Sequence, residues 1–246
     1  MSRRFVLGDR QRHRLLIVDE VSRNVVNYVG AAAGFLDQLT GFTIDPRRGD
    51  LWVVSAEGEE AESESALHKL QLVSGRSLLE ARAPKNAGPV RFVAVAVVPD
   101  GTVYALDARG SRLFRLRPGA RALDLVMRVD AGTPTALTAA DDATLYVADA
   151  TGLIRVDLTA RGAARVKTAE DLSGFESIAW RAGTLVGIER VAGSYLVVRL
   201  KLDPSGIRAQ PRQILAASPA ATVGTLAGDS FYYLSSEQTI RRVPLR

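Results

Sequence analysis

A chain of 246 residues, 47% of them hydrophobic, can bury a sizeable core in one large all-β domain or in two small domains. It contains no cysteine, which excludes disulfides, thiolate metal sites and cysteine nucleophiles. The net charge is +5, but the arginines that supply it are scattered, with no basic helix or aromatic-interleaved stripe, so we expect solvated sheet faces and no nucleic-acid partner.

The first ten residues are basic but lack the apolar stretch of a signal peptide, and no segment approaches the length of a membrane span. We therefore expect a cytoplasmic monomer without a membrane partner. A periplasmic or secreted location would apply if a leader had been removed.

A turn followed by an apolar strand recurs along the chain, which is typical of repeat architectures. The regular copies are residues 45–55, 99–107, 140–149, 181–189 and 227–235, and a less regular copy is residues 14–19. The equivalent positions, or repeat anchors, are Ile17, Trp52, Tyr104, Tyr146, Val186 and Tyr232. They are separated by 35, 52, 42, 40 and 46 residues, and each interval is long enough for four short strands. The spacing predicts an all-β fold, a six-bladed β-propeller of mostly four-stranded blades, as a single domain over residues 1–246.

Each copy is flanked by two further apolar segments. A second strand follows it, with the predicted ranges 24–29, 66–72, 111–117, 152–158, 195–202 and 239–243. An apolar run precedes all but the first copy, at residues 39–44, 93–98, 135–138, 178–180 and 223–227, and predicts the innermost strand of each blade. Residues at the start of these inner strands are expected to ring the central channel.

Two segments depart from the regular pattern. The acidic run of residues 57–64 lies between two strands of the second blade, and we interpret it as a solvated loop, with a calcium site as the lesser alternative. The last blade is expected to end after its third strand, near Leu245. Residues 4–8 would then complete a blade and close the ring.

Several stretches resemble the regucalcin/gluconolactonase group of six-bladed propellers, especially its bacterial sugar-lactone-lactonase-like members. These stretches are residues 99–107, 144–158, 197–203 and 228–233, and the likeness extends over most of the chain from about Leu39. The resemblance implies one divalent cation, such as calcium, magnesium, manganese or zinc, held by a Glu, one or two Asn and an Asp at the channel mouth. Such a cation would polarise a lactone carbonyl and activate water.

The ligand set that the resemblance implies is mostly replaced in this sequence. Val93 and Ala94 stand where relatives have Asn and Asp, and Thr135 stands at another Asn position. The expected Asp corresponds to Glu176. One carboxylate and one threonine are a poor cation cage, so the sequence predicts a degraded metal site.

Glu176 is the main candidate for chemistry, as a metal ligand, a general base or a polar anchor for a ligand. The alternative is an ordinary solvent-facing loop acid. Arg91, just before an inner strand, is expected either to bind a carboxylate or phosphate of a ligand or to cap the channel through a salt bridge. Further candidate lining residues are Gln38, Asp37, Thr135 and Thr222.

Two functions remain open because propellers serve both enzymes and binding proteins. The favoured one is a ligand-binding or interaction module for a small molecule or a protein partner, using the channel mouth. The alternative is a metal-dependent hydrolase of a lactone or related ester with Glu176 at its centre. No nucleophile elbow, phosphate loop or Ser-His-Asp arrangement is recognisable in the sequence.

Overall fold

The repeats take the form of six antiparallel sheets in the computed structural model. The structure describes residues 3–9, 12–30, 33–58, 64–221, 223–235 and 239–245. Four sheets have four strands and two have three, and the protein is a six-bladed β-propeller, as the repeat spacing predicts. None of the helical segments in these ranges has the length and hydropathy needed to cross a lipid bilayer.

The first three sheets are formed in chain order, with a short 3₁₀ helix, Lys85–Ala87, before the third. The first sheet contains β1 (Arg4–Asp9), β2 (Arg14–Asp19) and β3 (Val25–Val29). The second contains β4 (Gln38–Asp45), β5 (Asp50–Ala56), β6 (Ser65–Gln71) and β7 (Ser77–Arg82). The third contains β8 (Phe92–Val97), β9 (Val103–Asp107), β10 (Arg112–Leu116) and β11 (Asp124–Arg128).

The last three sheets follow the same order. The fourth contains β12 (Pro134–Ala139), β13 (Thr144–Asp149), β14 (Gly152–Asp157) and β15 (Gly162–Arg165). The fifth contains β16 (Phe175–Arg181), β17 (Thr184–Val191), β18 (Ser194–Lys201) and β19 (Gln213–Ser218). The sixth contains β20 (Gly224–Ala227), β21 (Ser230–Leu234) and β22 (Ile240–Pro244).

The two three-stranded sheets are the first and the last. The sixth ends with its third strand, as expected. The expectation that the N-terminal residues complete another blade is wrong in the described part of the chain, because β1 pairs with β2 along its whole length, from Arg4 opposite Asp19 to Asp9 opposite Arg14. A short hairpin makes this local pairing the most accessible one, and β1 becomes the inner strand of its own sheet.

The chain divides into two compact units, Met1–Val97 with Gly101–Met127 and Val98–Asp100 with Arg128–Arg246. In the first unit, consecutive sheets pack face to face. Every residue of β5 is buried, and alternate side chains face opposite neighbours: Leu51 and Val53 join a cluster with the first sheet, Trp52 and Val54 one with the third. Because both faces are covered, the four consecutive residues 51–54 at the middle of this strand are all apolar.

The second unit packs in the same way. Leu185 of β17 joins a cluster with the fourth sheet, whereas Val186 and Ile188 join a cluster with the sixth. Tyr146 stacks on Trp180, with ring centroids 5.2 Å apart and an interplanar angle of 14°. Burial of each large apolar side chain contributes roughly 1.5–3 kcal/mol, so these clusters hold neighbouring sheets together within each unit.

Candidate functional site

The inner strands share a feature that determines which side chains stand at their start. In four sheets the pairing between the first two strands shifts at the second or third residue of the inner strand, which is the mark of a β-bulge. The residues skipped by the register are Thr40, Val93, Thr135 and Glu176. Val93, Thr135 and Glu176 are among the positions at which the family resemblance implies metal ligands. Each is the bulged second residue of its inner strand, so the three positions are structurally equivalent.

In the first unit, Arg91 and Gln38 come together. Nη2 of Arg91 donates to Oε1 of Gln38 at 2.7 Å, and Nη1 donates to the carbonyl oxygens of Gly58 at 2.7 Å and Glu57 at 3.2 Å. The backbone N–H of Arg91 is held by Asp107 at 2.8 Å. The guanidinium therefore ties the segment after β5 to the start of two inner strands.

The partners of the Arg91 side chain are all neutral. Among the described residues no carboxylate lies within ion-pairing distance of it, and the salt-bridge alternative stays a prediction. A guanidinium has five N–H donors, and three of these are used. Nε–H and one N–H of Nη2 stay free of acceptors in the described chain. Free guanidinium donors can bind the oxygens of a carboxylate or phosphate.

The other predicted lining residues of the first unit differ from this pair. Asp37 is exposed and forms no hydrogen bond or ion pair with a described residue. Val93 and Ala94 are half-buried and offer no side-chain oxygen. A Cβ on Gly41 would lie 2.9 Å from the Val93 carbonyl, so this glycine lets β4 approach β8 closely.

In the second unit, Thr135 and Glu176 are neighbours along adjacent inner strands. Oγ1 of Thr135 donates to the carbonyl oxygen of Phe175 at 2.7 Å and lies 3.3 Å from that of Ala148. The Glu176 carboxylate faces Nε of Arg190 at 3.4 Å, with side chains 30% and 60% exposed. Thr222 lies outside the described residues.

These residues do not fit a divalent cation. The hydroxyl of Thr135 is committed to a backbone carbonyl, and the Glu176 carboxylate already has a cation beside it. No cluster of three or more His, Asp or Glu side chains in the described chain is suited to hold a metal ion. A calcium or zinc site needs several converging oxygen or nitrogen ligands, and Arg190 would repel the ion.

A second set of polar residues lies three positions after the repeat anchors and was missed in the sequence. Its members from the second to the fifth sheet are Ser55, Asp107, Asp149 and Glu189, and all are buried. The first three accept a backbone N–H from the segment that leads into their own inner strand. The anchor alignment contained this signal, since an acidic or hydroxyl residue recurs at a fixed offset.

The partners of this set differ between sheets. Ser55 Oγ lies 2.8 Å from Nε2 of His68, and burial lowers the pKa of His68 to about 4. Asp149 pairs with Arg165 at 2.9 Å; burial raises its pKa, but the hydrogen bonds of Arg165 and nearby backbone N–H groups outweigh this and lower it to about 2. These contacts fix the inner-strand starts rather than offering reactive groups to solvent.

In Glu189 the two carboxylate oxygens have different surroundings. Oε1 pairs with Nη1 of Arg212, whereas Oε2 is buried without a hydrogen-bond partner in the described residues. Burial raises the pKa of Glu189, and the Arg212 charge opposes the shift. Burial therefore makes this carboxyl easier to protonate than a solvent-exposed glutamate.

No protein-family model matches the chain, and no curated protein matches it in sequence. Several solved structures are similar to it in fold. A chain of a nidogen/laminin complex has a TM-score of 0.72 at 11% identity, over 98% of this chain and 89% of that one. A catalytically inactive virginiamycin B lyase from Staphylococcus aureus with quinupristin has a TM-score of 0.61 at 10% identity, over 100% and 99%. Hydrazine synthase of Kuenenia stuttgartiensis reaches 0.58 at 14% identity, over 84% and 66%.

Identities this low show the fold alone. The structural neighbours support the propeller and do not establish the gluconolactonase-like family. They include a member of a protein complex and an enzyme, so the fold does not select between the two functions.

Proposed function

We propose that the protein is a binding module that recognises an anionic group of a small molecule or protein partner through Arg91, at the start of the inner strands. The observation that carries this proposal is the Arg91 guanidinium, which has neutral partners and no carboxylate partner among the described residues. These partners hold it in place, and Nε–H and one N–H of Nη2 have no acceptor among the described residues. A fixed, half-buried arginine loses little conformational entropy when it binds an anion.

Gln38 has a definite role in this proposal. Its side-chain carbonyl accepts one N–H at 2.7 Å without neutralising the charge. A glutamate at this position would keep the geometry and supply a negative charge beside Arg91. Gln38→Glu is therefore expected to occupy Arg91 internally while the tether to residues 57 and 58 stays intact.

Calorimetric titration with succinate and with inorganic phosphate at low ionic strength tests the proposal. We expect saturable binding of at least one anion, weakened about ten- to hundredfold in Arg91→Gln and in Gln38→Glu, because hydrogen bonds to charged groups are worth about 1.5–3 kcal/mol. Arg76→Gln is the matched control, since Arg76 is an exposed arginine of the same unit. Absence of binding, or equal binding by Arg91→Gln and the wild type, would overturn the proposal.

The alternative function is a metal-dependent hydrolase of a lactone or related ester, with Glu176 as ligand or base. Its support is the position of a half-exposed carboxylate on an inner-strand bulge. Metal-stripped protein titrated with calcium, magnesium, manganese and zinc separates the two functions. Saturable metal binding that is lost in Glu176→Gln would favour the hydrolase and justify a lactone screen.

A further inference from the structure

The third strand of a sheet carries a fourth strand in four of the six sheets. In the second to the fifth sheet, the outer edges of β6, β10, β14 and β18 pair with β7, β11, β15 and β19. β22 holds the same third position in the sixth sheet, and no described strand pairs with its outer edge. Such an edge presents a row of backbone N–H and C=O groups to which a further strand can add.

The pairing of β22 with β21 determines which of its backbone groups face outward. The two strands pair over the whole length of β22 without a change of register. The N–H of Leu245 donates to the carbonyl oxygen of Asp229 at 3.0 Å, so every second residue counted back from Leu245 faces β21. Because successive residues alternate, Ile240 and Arg242 direct both their N–H and their C=O outward. Pro244 lacks an N–H and offers only its carbonyl oxygen there.

Two consecutive arginines give this edge its charge. Arg241 and Arg242 are both exposed, and their side chains leave the strand on opposite faces of the sheet. Nε of Arg242 donates to Oγ of Ser230 at 2.8 Å. Among the described residues no carboxylate lies within ion-pairing distance of the Arg242 guanidinium. The charge of this side chain therefore stays available to a partner of opposite sign.

A third arginine lies beside the end of the strand. Nη1 of Arg199, on β18, donates to the carbonyl oxygen of Leu245 at 2.8 Å, and its Nε donates to Oε1 of Gln213 at 3.0 Å. These two partners are neutral, like the serine that holds Arg242. The outer edge of the sixth sheet thus carries several positive charges close to exposed backbone donors and acceptors.

These charges determine which kind of strand can add. In a second copy of β22 the arginines would face the arginines of the first, and like charges on adjacent strands repel each other. An extended acidic segment would instead place its carboxylates opposite the arginines. β3 is also a third strand without a described fourth strand, but its residues, Val25–Val29, carry no charge that would select a partner.

We infer that the outer edge of β22 binds an extended acidic segment of a partner protein, which adds to the sixth sheet as a fourth, antiparallel strand. The backbone of the segment would pair with Ile240 and Arg242, and two adjacent acidic residues would lie opposite Arg241 and Arg242, one on each face. The direction is that of β7, β15 and β19 in their own sheets. This inference does not depend on the anion site at Arg91, which lies in the other unit.

Calorimetry and amide hydrogen exchange with the blocked peptide Thr-Val-Glu-Glu-Val-Thr test the inference. We expect saturable binding and slower exchange of the Ile240 and Arg242 amide protons, because an added backbone protects them. The same peptide with lysine in place of glutamate should bind at least about tenfold more weakly. Of two forms N-methylated on alternate residues, the form that blocks the edge facing β22 should bind more weakly than the other. No saturable binding, equal binding of both N-methylated forms, or unchanged exchange at both amides would overturn the inference.

Variants locate the binding. Arg242→Glu is expected to weaken binding of the acidic peptide about tenfold, and Arg241→Glu combined with Arg242→Glu should favour the lysine peptide instead. Arg161→Glu is the control, because Arg161 is an exposed arginine of the same unit in the turn between β14 and β15. Far-UV circular dichroism verifies that each variant is folded. Unchanged binding of the acidic peptide by the folded double variant would refute the assignment, whereas unchanged binding by Arg91→Gln is expected.

Discussion

The second and third sheets fix the start of their inner strands with different hydrogen-bond acceptors. Ser55 and Asp107 occupy the same repeat position, and each accepts the backbone N–H of the segment that leads into the inner strand, from Leu36 at 3.2 Å and from Arg91 at 2.8 Å. Ser55 is then paired with the neutral His68, whereas Asp107 is paired with Arg112. The position requires a hydrogen-bond acceptor, and the charge on it is optional.

The charged version makes more contacts. Asp107 is fully buried and accepts the N–H groups of Arg109 and Gly110 as well as that of Arg91. Arg112 in turn donates to two backbone carbonyls. The neutral version has fewer partners, and it places His68 at the position where the third sheet has the buried Phe114.

The largest effect is expected from removal of the buried anion. Asp107→Ala leaves the Arg112 guanidinium, which is 9% exposed, without its counter-charge and strands three backbone donors. We expect the free energy of unfolding to fall by about 3–5 kcal/mol, the usual cost of breaking a buried ion pair. Urea unfolding measures it, with Asp124→Ala as the control because its ion pairs are solvent-exposed. A loss under about 1 kcal/mol would contradict this reading.

The second effect is a pH dependence that belongs to His68. Its folded pKa of about 4 lies below the ordinary value of 6.5, so between these values the unfolded chain binds a proton that the folded chain does not. Stability is fully present above pH 6.5 and falls as the pH drops, by about 1.4 kcal/mol per unit and roughly 3 kcal/mol in all. Unfolding measured from pH 8 to pH 4 tests this.

His68→Phe, which copies the third sheet, should flatten that window. The low pKa of Asp149, about 2, acts only below its ordinary value of 3.8, so this carboxylate does not contribute to the same range. An unchanged slope between pH 6.5 and pH 4 in His68→Phe would show that another group titrates there.

The sequence predicted the fold well because each repeat contains turn residues and apolar runs that mark its own strands. β2 has the predicted bounds, and the strands after the anchors differ from their predicted ranges by a few residues at most. The outer strands β7, β11, β15 and β19 follow from the interval lengths but have no distinctive pattern, because almost none of their residues is buried. The pairing of β1 was mispredicted because closure of the ring is a long-range property that no local pattern encodes.

For the candidate site, the sequence predicted where the residues lie along the strands but not what their side chains contact. Val93, Thr135 and Glu176 do occupy equivalent bulges, and Arg91 does meet Gln38. What each side chain contacts depends on the neighbouring sheet, so the Glu176–Arg190 pair and the carbonyl partners of Arg91 could not be read from spacing. The Ser55–His68 pair was missed because a serine and a histidine on adjacent strands carry no sequence signature.

A smaller effect is expected at Ser55. Ser55→Ala leaves the Leu36 N–H and the His68 ring nitrogen without this partner, and we expect a loss of about 1–3 kcal/mol in the free energy of unfolding. Thermal and urea unfolding at pH 8 measure the loss, where His68 is neutral. Ser55→Thr keeps the hydroxyl and is the matched control. If Ser55→Ala cost as much as Asp107→Ala, the distinction between a neutral and a charged acceptor would fail.

The smallest effect is expected at Glu176, whose ion pair with Arg190 is exposed and therefore worth about 0–1 kcal/mol. Glu176→Gln should leave the unfolding midpoint nearly unchanged, and Arg190→Gln should do the same. This separates Glu176 from the buried acceptors, since its carboxylate is not needed to hold the inner strand. A loss of more than about 1 kcal/mol in both variants would instead place the pair with the structural acceptors, and a defect in metal or ligand binding could then no longer be attributed to the carboxylate itself.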